Sequence, residues 1–218
     1  MNTKVQPPAQ FVLYLSLFLL AAMAQTLPAA EAKTEATSTS LPSSAIRVPL
    51  VRQSTPYTCG VAALQSVLAY FGDEHREGDL AKACKSNNQI GTAYTRIANY
   101  AQSRGFTVEI SKDMKLADLK SALERKLPVI CLIQAWPERE VNFAQDWQDG
   151  HYVVAIGYDA ERIYFMDPST LGHYAFIPTA EFLTRWHDTD GKEKLFNFGM
   201  IISRQSDTYN ADEVKPLN

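Results

Sequence analysis

The stretch Gln53-Ser54-Thr55-Pro56-Tyr57-Thr58-Cys59-Gly60 runs straight into Val61-Ala62-Ala63-Leu64-Gln65-Ser66-Val67-Leu68-Ala69-Tyr70-Phe71, and this junction decides how the chain folds. In its second half, Val61, Leu64, Leu68 and Phe71 fall on one helical stripe, which Ala62, Ala63 and Val67 widen. A helix apolar over so much of its surface belongs deep in a core, and Gly72 supplies its stop. Pro56 fixes the chain's entry into it. Cys59 then lands in the first helical turn, where the partial positive charge of a helix N-terminus favours thiolate over thiol. Gln53, six residues upstream in the extended approach, is placed to join the Cys59 backbone N–H in binding an oxyanion. Taken alone, a cysteine so placed is more often a buried structural thiol.

Upstream of this junction the composition changes. Phe11 to Ala24 is a 14-residue apolar run ending in small residues, with Lys4 as the one charge before it. A membrane-spanning helix needs about 20 apolar residues. The run therefore reads as a secretory signal, residues 1–24, with Ala22-Met23-Ala24 placing the cut before Gln25 and Ala30-Glu31-Ala32 as a second candidate. Residues 25–45 are rich in Ala, Ser, Thr and Pro without apolar periodicity, the composition of a flexible linker. The expected folded unit is 46–204, followed by a polar tail at 205–218. These features predict an exported protein, periplasmic or secreted, with no stable membrane anchor after signal cleavage.

The whole chain of 218 residues is 46% hydrophobic and 21% charged, a globular composition. Its 21 Lys and Arg against 24 Asp and Glu give a formal net charge of -3, which argues against a nucleic-acid partner. Three cysteines are too few for a disulfide scaffold and lack the paired spacing of a zinc ribbon. Cys131, inside Val-Ile-Cys-Leu-Ile, reads as core, and Cys84 sits near a helix end. In an oxidising compartment the two could pair, although two separate buried thiols is the favoured reading. The sequence leaves the oligomeric state open.

Downstream, Asp79 is placed to cap a short helix running to Cys84, and Gly91 to Arg104 reads as another helix, ended by Gly105. Phe106 to Ile110 is β-like, and Leu116, Leu119, Ala122 and Leu123 mark a further helix ending before Pro128. Strands are then expected at Val129–Ile133, Tyr152–Tyr158, Arg162–Met166, Tyr174–Ile177 and Phe198–Ser203. Helices first and strands later is an α+β pattern. The long polar loop from Pro137 to Asp149 contains Trp147 and has a length typical of functional loops. It reads either as an edge of a substrate groove, with Trp147 and Gly150 as substrate-contacting residues, or as an excursion whose Trp docks on the core.

A nucleophilic thiol needs a base. Of the four histidines, His75 lies in a charged turn, and His173 and His187 stand in less apolar surroundings. His151 opens the strand Tyr152–Tyr158, which gives an imidazole rigid backing and an open front. Asp167 ends the next strand, just before Pro168. If these strands form a hairpin, a plain two-residue turn at Ala160-Glu161 leaves His151 and Asp167 on opposite faces. A working pair therefore demands an odd-numbered turn or a bulge between Gly157 and Ile163. A metal site built from Cys59, His151 and Asp167 would have mixed ligands and no short-spaced pair behind it.

Together, Gln53, Cys59-Gly60 at a helix start, a strand-initial His151 and Asp167-Pro168 resemble the papain-like cysteine peptidases. More closely, they resemble the bacteriocin-processing, double-glycine peptidases, in a free-standing exported form without a transporter. Gly91-Thr92 with its following helix, Leu119 to Leu132, and Glu181-Phe182 before Trp186 extend the resemblance over roughly residues 48–203. The resemblance implies a papain-like α+β fold with the nucleophile's helix packed on an antiparallel sheet. It also implies Cys59 as nucleophile, His151 as general base and acid, Asp167 as the acid orienting it, and Gln53 in the oxyanion hole. The substrate would be a peptide or protein, and neither metal nor organic cofactor would be needed. The same dyad can instead transfer an acyl group to an amine, as transglutaminase-like relatives of the fold do, and the fold can also serve as a non-catalytic peptide-binding module.

Overall fold

The elements follow from the pattern of apolar residues. In the computed structural model, which describes residues 39–135, 140–170, 172–206, 208–214 and 216, five helices and eight strands succeed one another. The signal at 1–24, the linker up to residue 38, and 136–139 of the loop region lie outside the described residues. Helix α1 is Cys59–Tyr70, α2 Glu77–Ala83, α3 Tyr94–Ser103, α4 Leu116–Glu124 and α5 Thr179–Arg185. The strands are β1 (Thr107–Ser111), β2 (Val129–Gln134), β3 (Gly150–Tyr158), β4 (Arg162–Met166), β5 (Ala175–Pro178), β6 (His187–Asp190), β7 (Glu193–Phe196) and β8 (Gly199–Ser203). Several boundaries differ from expectation, among them those of β1, β5 and β8 by one residue, and that of β3, which starts at Gly150 and takes His151 into the strand. Asp79 sits inside the first turn of α2 and does not cap it. Gly91 has φ +68 and bridges to Asn87, so α3 starts only at Tyr94.

Six strands form one antiparallel sheet in the order β1-β8-β2-β3-β4-β5, and β6 and β7 form a separate hairpin. Strand β2 is buried along its whole length and β3 along most of it, as expected of central strands between covered faces. Helix α1, buried at nine positions including Val61, Leu64 and Leu68, packs against β3. Gly60 permits this approach. A Cβ there would stand 3.0 Å from Tyr152 of β3 and 3.1 Å from Ile97 and Thr92.

The unit begins at Ser40, earlier than composition suggests, because apolar residues and backbone bonds tie its start to the sheet. Leu41 packs against the core, Lys126 Nζ donates to Ser44 O, and the Ile46 N–H donates to Ile156 O at 2.7 Å. At the other end, the Tyr209 N–H donates to Tyr70 O at 2.7 Å, so part of the polar tail is also held. Among the described residues no helix is long and apolar enough to cross a membrane.

The β3–β4 register meets the face condition by a route other than the expected interval. The tip is the two-residue turn at Ala160-Glu161, with Tyr158 opposite Ile163 and Gly157 opposite Tyr164. Below it, Ala155 faces Phe165 and Val154 faces Met166, so Ile156 is an extra residue in β3. The bulge thus lies one residue before Gly157, where the Ile156 carbonyl is engaged by Ile46. Continued one step, the shifted register sets Asp167 level with Val153, on the face that His151 shares.

Beyond the sheet, Trp186 is 1% exposed, stacks near Phe182 at 4.7 Å between centroids and donates its indole N–H to Phe198 O at 2.8 Å. It anchors α5 and the start of β6. Trp186→Ala is expected to cost about 3–5 kcal/mol of stability in equilibrium urea unfolding; a loss under about 1 kcal/mol would contradict this anchoring.

Candidate active site

Cys59 opens α1, and the N-terminus of that helix has no side-chain cap. The Thr58 hydroxyl turns back to Thr55, bonding Thr55 O at 3.2 Å and Thr55 Oγ1 at 3.0 Å. First-turn amides, which have no intrahelical partner, are thereby left to the thiol. The His151 imidazole and the backbone N–H groups of Gly60 and Tyr152 all favour the ionised form of the Cys59 sulfur. Burial works to raise the thiol's pKa, but the bond to His151, the imidazolium charge and the two amides outweigh it and lower it below the usual 9.0.

His151 is 6% exposed and Asp167 4%. His151 Nε2 lies 2.7 Å from Asp167 Oδ1. This bond leaves Nδ1 as the ring nitrogen for Cys59. Burial pushes the imidazole down, yet the bonds to Asp167 and Cys59 and their charges prevail and raise its pKa to about 9. The Ser169 N–H donates to the same Asp167 oxygen at 2.8 Å, and Thr170 N–H and Oγ1 both bond the Asp167 carbonyl. Asp167 is therefore held by the turn that Pro168 begins. Both shifts favour the thiolate–imidazolium form of the pair over the neutral one, backed by the Asp167 carboxyl group.

Gln53 is tied to the same turn. Its N–H donates to Pro168 O at 3.0 Å, its Oε1 accepts from Ser169 Oγ at 3.2 Å, and its Nε2 donates to Thr55 O at 2.8 Å. It lines a shallow depression with Ser54, Thr55, Pro56 and Ser169, beside the groove on which Cys59 opens. The structure thus brings Cys59, His151 and Asp167 together, with His151 hydrogen-bonded to Asp167, and sets Gln53 next to them. Ser169, 3.5 Å from His151 Nε2 as well as bonded to Gln53, had no signal in the sequence beyond following Asp167-Pro168.

The Cys59 groove has a volume of about 360 Å³, and Trp147, Gly150, Tyr152 and Asp188 are among its lining residues. Trp147 combines both sequence readings. It lines the groove while its ring packs on His187 at 4.4 Å and on Phe196 at 5.2 Å. His187, another possible base, donates from Nε2 to Asp146 O at 2.7 Å and so is occupied in holding the loop. Asp188 was missed because β6 is polar; Asp190-Gly191, with Gly191 at φ +62, is the turn signal that could have revealed this hairpin. All three cysteines are free thiols, and among the described residues no group of three or more His, Cys, Asp or Glu is arranged to hold a metal ion.

The sequence profile of the Peptidase_C39 like family matches residues 45–193. The chain belongs to that family. An uncharacterised protein from Methanothermobacter marburgensis is 27% identical over 120 residues, which cover 55% of this chain and 71% of that protein. In fold, this C39-like chain is similar to a candidate C39-like peptidase from Bacillus anthracis, with TM-score 0.58, 18% identity, and coverage of 73% of this chain and 96% of that one. It is also similar to the peptidase domain of Streptococcus ComA, a bi-functional ABC transporter involved in a quorum sensing pathway, with TM-score 0.53, 20% identity, and coverage of 73% and 100%. A double glycine motif protease from an AMS/PCAT transporter, in complex with the leader peptide, gives TM-score 0.53 and 21% identity, covering 72% and 92%. The fold is that of papain-like C39 peptidase domains, and family and fold together support a cysteine-peptidase-like function.

A direct consequence concerns the thiol. Iodoacetamide should alkylate Cys59 selectively at pH 7 in the folded protein, and His151→Ala should slow this at least about 10-fold, the effect of one pKa unit. Intact-mass kinetics measure it; equal rates in both proteins would mean that the imidazole does not activate the thiol.

Proposed function

We propose that this C39-like protein is an exported cysteine peptidase that cleaves peptide bonds through a Cys59 acyl-enzyme. The observation that carries the proposal is the buried His151–Asp167 hydrogen bond beside the Cys59 thiol, whose pKa the imidazole lowers. The Cys59 thiolate attacks the scissile carbonyl, and negative charge develops on its oxygen. The Cys59 backbone N–H, unpaired at the first position of a helix, and the second hydrogen of the Gln53 amide nitrogen stabilise that oxyanion. The His151 imidazolium then gives its proton to the leaving amine, which departs and leaves a thioester on Cys59. Neutral His151 next takes a proton from water, the hydroxide adds to the thioester, and the acid product leaves as the Cys59–His151 pair is restored. Asp167 keeps Nδ1 aimed at the sulfur and stabilises the imidazolium. Export rests on the apolar run at 11–24 and its small-residue cleavage pattern.

The test is a quenched-fluorescence peptide library presented to the chain from Gln25 onward. Cleavage by the native sequence and none by Cys59→Ala is expected, with water rather than an amine in the product masses. Cleavage that survives Cys59→Ala would exclude the proposal.

The pH profile has a sign fixed by the two shifts. Activity requires ionised Cys59 and protonated His151. The acid limb of kcat/KM should therefore fall below the usual thiol range, and the alkaline limb near pH 9. Asp167→Asn removes an interaction that raises the imidazole, so its alkaline limb should move to lower pH. An unmoved limb would show that Asp167 does not set the proton affinity of His151.

A further inference from the structure

The proposed reaction makes no use of Asp188, although it stands on the wall of the Cys59 groove. Strand β6 carries it there, and it is only 8% exposed. Its carboxylate lies so close to the β3 backbone that a Cβ on Gly150 would fall 2.1 Å from Oδ2. Cys59 and Asp188 line the same groove, and the His151 charge acts on this carboxylate, so it adjoins the reacting centre. Behind it, the fully buried Gln134 donates through Nε2 to Asp188 Oδ1 at 3.0 Å and to His187 O at 3.1 Å. Gln134 Oε1 in turn accepts the Asp149 N–H at 3.0 Å. The polar strut fixes the Asp188 side chain in place.

The groove wall is acidic and lacks a cation. Asp190 also lines it, with Oδ2 accepting the Tyr94 N–H at the start of α3, at 2.8 Å. The described lining residues include no Lys, Arg or His. Two nearby cations have other partners: Lys194 lies over the ring of the groove residue Trp147 at 4.3 Å, and Lys112 pairs with Glu193 at 2.5 Å. Burial makes the Asp188 charge costly and raises its pKa to about 6, against the Thr189 N–H and Gln134 bonds that support the charge. The His151 imidazolium acts on this carboxylate but lowers its pKa less than burial raises it, and no Lys or Arg pairs with it among the described lining residues, so a bound cation would relieve its desolvation.

We propose that Asp188 is a specificity-determining residue of this groove and receives a lysine-type ammonium group of the substrate peptide next to the scissile bond. The assignment rests on the groove of Cys59 being a peptide-binding groove. Pairing with a fixed, largely desolvated carboxylate is a charge-assisted contact and confers selectivity over a neutral isostere.

The experiment scans hexapeptides in which lysine or acetyl-lysine occupies each position in turn, measuring binding to the Cys59→Ala protein by calorimetry. At one position lysine is expected to bind at least about 10-fold tighter than acetyl-lysine, and Asp188→Asn in the same background is expected to abolish that ratio. No lysine preference at any position, or a preference that survives Asp188→Asn, overturns the proposal. Gly150→Ala, whose added methyl displaces the carboxylate, serves as a second variant and is expected to reduce the ratio likewise. Cleavage of the acetyl-lysine peptides by the active protein and by its Asp188→Asn variant is followed in parallel. Retained Cys59-dependent cleavage with no lysine preference overturns the role of Asp188 and leaves the peptidase reading standing. A lysine preference in binding without Cys59-dependent cleavage overturns the peptidase reading and leaves the subsite.

Discussion

The 2.7 Å bond between His151 and Asp167 exists because β3 carries one residue more than β4 between the tip of their hairpin and its base. Side chains alternate across a strand, so without the extra residue at Ile156 the two would project from opposite faces. The bulge is tied down from outside the hairpin, since its carbonyl accepts the Ile46 N–H. The Asp167 end is tied down in turn, through the Pro168 carbonyl and the N–H of Gln53. One segment, residues 46–59, therefore secures both the bulge and the carboxylate before it turns into the helix that presents Cys59. Register, approach segment and nucleophile form a single mechanical unit.

Electrostatics then does the rest, and the three cysteines show how local it is. Cys84 has the same side chain as Cys59, yet burial without an imidazole partner raises its pKa to about 11. Cys131, buried in the central strand β2, is pushed higher still by the same cause. Only Cys59 combines burial with first-turn amides and a protonatable ring. The imidazole is held charged by two anions at once, the carboxylate behind it and the thiolate in front. A pair that is neutral overall can stay desolvated where either ion alone could not.

Much of this was legible in the sequence because it depends on strong periodicity. The apolar stripe of α1 and the near-continuous apolar runs of β2, β3 and β4 identify buried elements, and Cys59, His151 and Asp167 stand at the ends of α1, β3 and β4. The need for a register change was readable from parity, but its position was not, since a bulge answers to a tertiary contact with Ile46 that no local pattern records. The β6–β7 hairpin was invisible for a different reason. His187-Asp188-Thr189-Asp190 is polar throughout, and its two buried residues are satisfied by Gln134 and Asp146 from other parts of the chain. Polar residues buried through long-range hydrogen bonds carry no hydrophobic signature. Gln53 was readable by its distance from Cys59, whereas its bond to Ser169 depends on where the turn after β4 lands.

The central claim is that His151 is a protonated partner of an ionised Cys59, fixed by Asp167. An NMR titration of the His151 ring in the resting protein tests this most directly, with Cys59→Ala as comparison. The account predicts an imidazolium that persists through neutrality and loses its proton near pH 9, and a lower titration point once the thiolate is removed. Titration of His151 near its ordinary 6.5, unchanged by Cys59→Ala, would contradict it.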